Sequence, residues 1–283
     1  MKNMTPPSVN FHLLDSCNMK CRFCFATFLD LPRQAQNQER AIQIIRELAQ
    51  AGFKKITFAG GEPTLWKGLP ELLQLSKSLG MTTMVVSNGW NLLNPEYYDR
   101  ITPNLDWIIL SCDSVHDQQN QASGRAVKGE SISYDDYVNL CSKAKRDGLK
   151  LKVNTVVSRF NLDDDMSAFI SEMKPARWKI FQALPVAGQN DRFNGQFEIT
   201  KEQFQAYLDR HAHLGDILDL VPEDNDAMTG SYVMVAPNGC FFDNSKGRHT
   251  YSDPILKVGL TEALSQINFD FDKFSSRGGV WSW

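Results

Sequence analysis

The sequence predicts an α/β protein: a parallel barrel or partial barrel with a C-terminal extension. Three observations predict it. Six strand-like segments alternate with helical ones. Each motif of chemical character falls just after a strand, where the sites of such folds lie. From about residue 214 the alternation fades. Residues 1–214 are therefore expected to form the barrel, and 215–283 an extension packed on it rather than an independent domain. The 283 residues are 42% hydrophobic and 22% charged, an ordinary globular balance that can bury a sizeable core.

The elements follow in order. Residues 8–13 alternate polar and apolar side chains, a strand with Asn10 and His12 on one face and Val9 and Phe11 on the other. Residues 38–51 carry Ala41, Ile44, Ile45 and Leu48 at helical spacing, ended by Gly52. Residues 54–59 form the second strand and run into Gly60-Gly61-Glu62-Pro63. A helix over 68–79 leads to a third strand over 82–87, followed by Ser87-Asn88-Gly89. The fourth strand, 107–111, is mostly apolar, as expected when both faces are buried. It ends in Ser111-Cys112-Asp113-Ser114, with Gly124-Arg125 in the polar loop beyond. A helix over 134–147, a fifth strand over 150–157, a sixth over 177–183 and a helix over 201–214 complete the alternation. Residues 230–243 read as a hairpin turning at Pro237-Asn238-Gly239.

The strongest chemical signal is Cys17-Asn18-Met19-Lys20-Cys21-Arg22-Phe23-Cys24, three of the chain's six cysteines within eight residues. Three thiolates this close can hold three irons of a 4Fe–4S cubane and leave the fourth iron open to a small molecule. Phe23 is placed to pack on such a cluster. A structural zinc site wants four ligands, commonly as two short pairs, and Cys112, Cys141 and Cys240 form no second pair. A disulfide framework belongs to secreted chains, and residues 1–7 carry no signal-peptide core. No apolar run is long enough to cross a bilayer. The net charge of −3 argues against a nucleic-acid partner. A cytoplasmic protein without membrane attachment is the expectation.

Strand alternation adds a second site. Lys55 shares a face with Thr57, Lys152 with Asn154, and Arg177 with Lys179, each opposite apolar neighbours. If that face is the lumen, these cations meet in a low-dielectric space and repel one another unless an anion sits among them. A triphosphate carries enough charge to balance them, and Arg and Lys are its usual donors. The plain alternative is that the residues are strand-end charges or partners of carboxylates.

The C-x3-C-x2-C spacing and the Gly-Gly-Glu-Pro turn resemble the radical SAM enzymes. Together with VSNG, LSCDS, KVNTVVSRFN, RWKIFQ, SY and the terminal RGGVWSW, the chain from Ser8 to Trp283 is similar to the viperin-like family. The resemblance implies a partial (β/α)6 barrel of the radical SAM type and a nucleoside triphosphate substrate: CTP, UTP or GTP. It implies cleavage of S-adenosylmethionine (SAM) by a reduced 4Fe–4S cluster, giving a 5′-deoxyadenosyl radical that removes the 4′ hydrogen of the ribose. Loss of the 3′ hydroxyl as water, then addition of one electron and one proton, would give a 3′-deoxy-3′,4′-didehydro nucleotide. Such a product terminates polymerase chains, which implies antiviral or anti-phage defence.

By matching position the resemblance makes Cys17, Cys21 and Cys24 cluster ligands. It makes Phe25, Gly60, Gly61, Glu62, Ser87, Asn88, Ser111 and Arg125 SAM or cofactor contacts, Arg125 facing the methionine carboxylate. Asn10, Lys55, Lys152, Asn154, Arg177, Lys179 and Tyr232 become substrate contacts. Tyr232 is also the catalytic candidate, as a late hydrogen or proton donor, with a buried packing role as the alternative. Expected partners are a one-electron reductant of the flavodoxin or ferredoxin kind and cluster-insertion proteins that read Trp283; a monomer is expected. The chain departs from the family at Ala126, where a third glycine is usual, in a short segment over 188–196, and around Ser231. Two rivals remain. A radical SAM enzyme on a peptide or other substrate would often bring further C-terminal cysteines, and only Cys240 lies there. A non-catalytic nucleotide-binding protein would make no 5′-deoxyadenosine.

Overall fold

The computed structural model describes residues 6–33 and 36–281. Its centre is one ten-stranded sheet of order β10-β9-β8-β1-β2-β3-β4-β5-β6-β7. The strands are β1 (Ser8–His12), β2 (Lys55–Ala59), β3 (Thr82–Ser87), β4 (Trp107–Ser111), β5 (Lys150–Val157), β6 (Arg177–Gln182), β7 (Asp219–Glu223), β8 (Met234–Val235), β9 (Cys240–Asp243) and β10 (Thr250–Pro254). Strands β1 to β7 lie side by side in chain order, all parallel. With β7 and β10 as open edges, the sheet is that of a partial barrel.

Helices α1 (Gln38–Gln50), α2 (Leu69–Ser78), α3 (Pro95–Ile101), α4 (Asp117–Ser123), α5 (Tyr134–Arg146), α6 (Ser167–Met173) and α7 (Lys201–His211) fill the crossovers. Their ends follow local chemistry. The Asn37 side chain caps α1 by accepting from the Arg40 amide. Thr200 and Gln203 form a reciprocal capping box at α7. The apolar stripe read from α1, Ala41, Ile44, Ile45 and Leu48, is buried. It packs in one core with Ile56 and Phe58 of β2, Leu151 and Val153 of β5, and Trp178 and Ile180 of β6. Trp178 is fully buried, and truncating such a side chain typically costs about 3–5 kcal/mol. The intervening residues of these strands face the other way, into the barrel. That places Lys55, Lys152, Asn154, Arg177 and Lys179 on the walls of the interior cavity.

Two features differ from the sequence reading. The parallel run has seven strands, since β7 follows the point where the alternation fades. Asp219-Leu220-Val221-Pro222-Glu223 is short, interrupted by proline and acidic at both ends; an edge strand tolerates that proline. Helices α3, α4 and α6 also escaped the reading. The hairpin over 230–243 is present as β8 and β9, turning through Gly239 at φ +82°. It does more than fold on itself: β8 extends the sheet parallel to β1, with Met234 opposite Asn10. Among the described residues no helix is long and apolar enough to cross a membrane.

Candidate active site

A cavity of about 310 Å³ lies inside the barrel. The cysteine loop walls it beyond the carboxyl ends of the strands. The basic residues wall it nearer their amino ends: Lys55 opens β2, and Glu62 follows its end. At about 3.3 Å per residue, Lys55 and Ala59 are some 13 Å apart along that strand.

The cysteine loop is held by backbone. The Lys20 amide donates to the Gly124 carbonyl at 3.0 Å, and the Arg22 amide to the Ser123 carbonyl at 2.8 Å. Gly124 sits at φ +83°, and a Cβ there would fall 2.2 Å from the Lys20 carbonyl oxygen. The glycine pair before Glu62 serves the same loop from the other side. The Gly61 amide donates to the Leu14 carbonyl at 2.7 Å, and the Glu62 amide to that of Ser16 at 2.9 Å. A Cβ on Gly61 would meet the Ser16 carbonyl oxygen at 2.1 Å. The close approach expected of Gly60 and Gly61 is thus made by the chain leading to the cysteines.

Cys17, Cys21 and Cys24 are unbridged and line the cavity. Burial pushes the Cys17 thiol up to about 11 and Cys21 to about 12, and raises Cys24. Such thiols ionise when a metal takes the proton's place. Among the described residues no three His, Cys, Asp or Glu side chains converge on a single ion. A cubane makes no such demand, because each thiolate binds a different iron. Three cavity-facing thiols on one tethered loop are a donor set that fits the cluster.

Around them, Glu62 is buried. Its Oε1 accepts from the Thr64 amide at 3.0 Å, the Thr64 hydroxyl at 2.6 Å and the Ser87 hydroxyl at 2.9 Å. Its Oε2 accepts from the Asn88 amide at 2.8 Å and retains capacity for another donor. Ser87 therefore stands behind the wall, orienting Glu62, while Phe25, Asn88 and Ser111 line the cavity. Arg125 is ion-paired through Nε to buried Asp113 and lies over the Phe23 ring at 5.7 Å. Asp113 in turn accepts from the Val156 amide at 2.8 Å. Asp113 was missed by the sequence reading, although its motif had been noted.

At the other end, the sequence reading favoured an anion to balance the cations and kept carboxylate partners as the alternative. The structure gives two of these cations carboxylate partners. Arg177 pairs with Asp219 at 3.1 Å, and Lys179 pairs with Glu223. Both acids come from β7 and share a face with the basic residues of β6. Burial, then the neighbouring cations Lys179, Arg177 and Arg277, brings Lys55 down to about 7. Burial likewise lowers Lys179 to about 8, against the pull of Glu223, and lowers Lys152 well below its ordinary value. Among the described residues, Asn154 Oδ1 and Arg177 Nε are buried without a hydrogen-bond partner, which points to a polar ligand.

The C-terminal extension covers this end. Arg277 reaches Glu223 at 3.2 Å and lies over the Tyr232 ring at 3.6 Å. The Trp281 ring lies 4.5 Å from the Arg177 guanidinium and 4.8 Å from Lys55 Nζ. Trp283 lies outside the described residues. Arg277 and Glu223 were both missed. Alternation in β7 would have put Glu223 on the Asp219 face, but not beside Lys179, 44 positions away.

Residues 12–173 match the family described as the radical SAM superfamily. Proteins named S-adenosylmethionine-dependent nucleotide dehydratase from Lacinutrix mariniflava and Flammeovirga pacifica are 48% and 43% identical over 98% of this chain. The chain spans 59% of the length of the first and 96% of the second. The RSAD2 protein of that name from Oncorhynchus mykiss is 36% identical over 99% of this chain and 81% of its own length. Among solved structures, anSMEcpe with bound AdoMet superposes with a TM-score of 0.69 at 13% identity, covering 95% of this chain and 82% of that one. Streptococcus suis SuiB bound to S-adenosylmethionine gives 0.66 at 16%, covering 83% and 59%. These two likenesses speak to the fold alone.

Proposed function

Because the chain belongs to the radical SAM superfamily, and within it to the S-adenosylmethionine-dependent nucleotide dehydratases, we propose that it removes water from the sugar of a ribonucleoside triphosphate: CTP, UTP or GTP. Enzymes of this superfamily hold a 4Fe–4S cluster and SAM. When bound, that pair supplies a carbon-centred radical able to take a sugar hydrogen.

The rest belongs to this chain's own residues. Cys17, Cys21 and Cys24 hold the cluster. The free acceptor capacity of Glu62 receives the SAM ammonium group, and the Nη atoms of Arg125, held by Asp113, receive its carboxylate. Lys55, Lys152, Arg177 and Lys179 bind the triphosphate. Asn154 Oδ1, without a donor among the described residues, accepts from a sugar hydroxyl, and Asn10 lines the same cavity from β1. Trp281 and the Arg277 segment exclude water, which strengthens each charge contact. Tyr232 faces the sugar and supplies a hydrogen or a proton late in the reaction. An external carrier of the flavodoxin or ferredoxin kind supplies the electron, and insertion proteins supply the cluster to a monomeric chain. The product is a 3′-deoxy-3′,4′-didehydro nucleotide, a chain terminator suited to antiviral defence.

The observation that carries this reading is the cavity itself: three thiols at one end and converging cations at the other. The test is anaerobic. The cluster is reconstituted, then dithionite, SAM and one nucleoside triphosphate at a time are added. One triphosphate is expected to stimulate 5′-deoxyadenosine formation and to lose the mass of one water, with a second reductant electron consumed beyond the one that cleaves SAM. SAM cleavage indifferent to every triphosphate would overturn the substrate assignment and leave the superfamily assignment standing.

A further inference from the structure

Among the described residues, Glu223 is the one carboxylate that touches barrel, phenol and C-terminal segment together. It is completely buried. Its Oε1 faces Lys179 Nζ and lies 3.2 Å from Arg277 Nη1. Its Oε2 accepts the Tyr232 hydroxyl hydrogen. Lys179 Nζ also donates to the Tyr232 oxygen at 2.9 Å, so the phenol is gripped from both sides by one ion pair. Arg277 is fixed further by the Ser231 carbonyl, which accepts from Nη2 at 2.7 Å and Nε at 3.2 Å. Lys179, Tyr232 and Arg277 line the cavity.

From this geometry we infer that Glu223 is a positioning residue that couples phosphate binding to the placement of the Tyr232 phenol. Its two oxygens divide the labour. Oε1 holds the two cations that face the phosphate end, and Oε2 holds the phenol. An anion that draws Lys179 or Arg277 toward itself weakens their hold on Oε1 and removes the Lys179 donor from the phenol oxygen. The phenol is then held by Oε2 alone and is free to turn on it. A phosphate group thus signals its arrival to the sugar-facing side chain through one carboxylate. Charge matters as well as shape: burying the Glu223 carboxylate disfavours its ionisation, yet Lys179 and Arg277 hold its pKa below the ordinary value.

This inference rests on the nucleotide reading above, and the experiment separates their failures. Glu223→Gln keeps the size and a hydrogen-bond acceptor but removes the charge. Two readouts are taken. In iron-free protein, a nucleoside triphosphate is added and the near-ultraviolet tyrosine difference spectrum recorded. Wild type is expected to show a change that Tyr232→Phe lacks and Glu223→Gln loses, although Glu223→Gln still binds the triphosphate by equilibrium dialysis. In the reconstituted enzyme, kcat is expected to fall about tenfold or more while KM moves less than about threefold. Combining Glu223→Gln with Tyr232→Phe should cost no more than Tyr232→Phe alone, since both act through one phenol. Multiplying losses, or a loss confined to KM, or an unchanged spectral response in Glu223→Gln, would overturn the coupling. Should Glu223→Gln fail to accumulate, Glu223→Asp, charged but shorter, is measured by the same criteria. If wild type binds no triphosphate, the nucleotide reading itself falls.

Discussion

Lys152 shows how a single side chain can be costly to the fold and necessary to the site. It is walled by Lys55, Arg177 and Lys179, and burial with those neighbours lowers its pKa well below the ordinary range. Lys152→Met keeps the aliphatic stem and removes the charge. Triphosphate affinity is expected to fall roughly tenfold to a hundredfold, the size of a lost charge-assisted hydrogen bond, while nucleoside affinity stays unchanged. The melting temperature should rise, since the cost of burying an ionisable amine among other cations is gone. Equal losses for triphosphate and nucleoside in calorimetric titrations would show that Lys152 is no phosphate contact. Lys55 and Lys179 give a pH prediction. Their pKa values of about 7 and about 8 lie below the ordinary lysine value, and a bound polyanion raises them again. Binding therefore takes up protons. Affinity from these lysines should be greatest below about pH 7 and decline as pH rises through 7 and 8, by up to about one log unit per pH unit for each lysine. Titrations in two buffers of different protonation enthalpy should report that uptake; identical heats in both would refute it. The sign for folding runs with the same groups: the unfolded chain holds more protons, so these lysines make stability rise with pH above about 7.

Among the elements, the glycine turn after β2 carries the clearest consequence. Its job is to let the chain from Leu14 to Ser16 lie against it, and that chain ends in Cys17. Gly61→Ala should push the loop aside, cost about 1–3 kcal/mol and lower iron bound per chain. Iron and sulfide quantification, with a melt of the iron-free protein, checks both effects; full iron and an unchanged melt would remove this role. Most of the elements were legible because their patterns are local. The α1 stripe, the alternating faces of β2, β5 and β6, and the turn at Gly239 each depend on neighbours a few positions apart. What was not legible depends on distance or on polarity. The stretch Asp117–Ser123 is wholly polar apart from Ala122, so it carries no apolar stripe, yet its end supports the cysteine loop through Ser123 and Gly124. Glu223 meets Lys179 only because β7 lies beside β6. Period-two alternation aimed the cations at the lumen but could not name the acids that answer them.

At the scale of the whole molecule, the charge balance of −3 conceals a positive interior. The extension closes over it, with Arg277 held at Glu223 and Trp281 over Arg177 and Lys55. Trp281→Ala should raise the KM for triphosphate by several-fold, in keeping with about 0.5–2 kcal/mol per cation–π contact. It should also raise the 5′-deoxyadenosine formed per product, as water gains access. A variant with unaltered KM and unaltered ratio would show that the ring does not cover the substrate.

The order of the cover along the chain has a consequence for biogenesis. Residues 17–24 leave the ribosome early, and domains fold from the amino end as they emerge. The pieces that shut the cavity, β8 beside β1 and the helix Phe271–Ser276 with Arg277 behind it, are made last. Until then the cation-lined end of the cavity has no cover over Arg177 and Lys55. The nucleotide end of the cavity is therefore finished last, by the final residues to be made, whereas the cysteine loop at the other end is among the first.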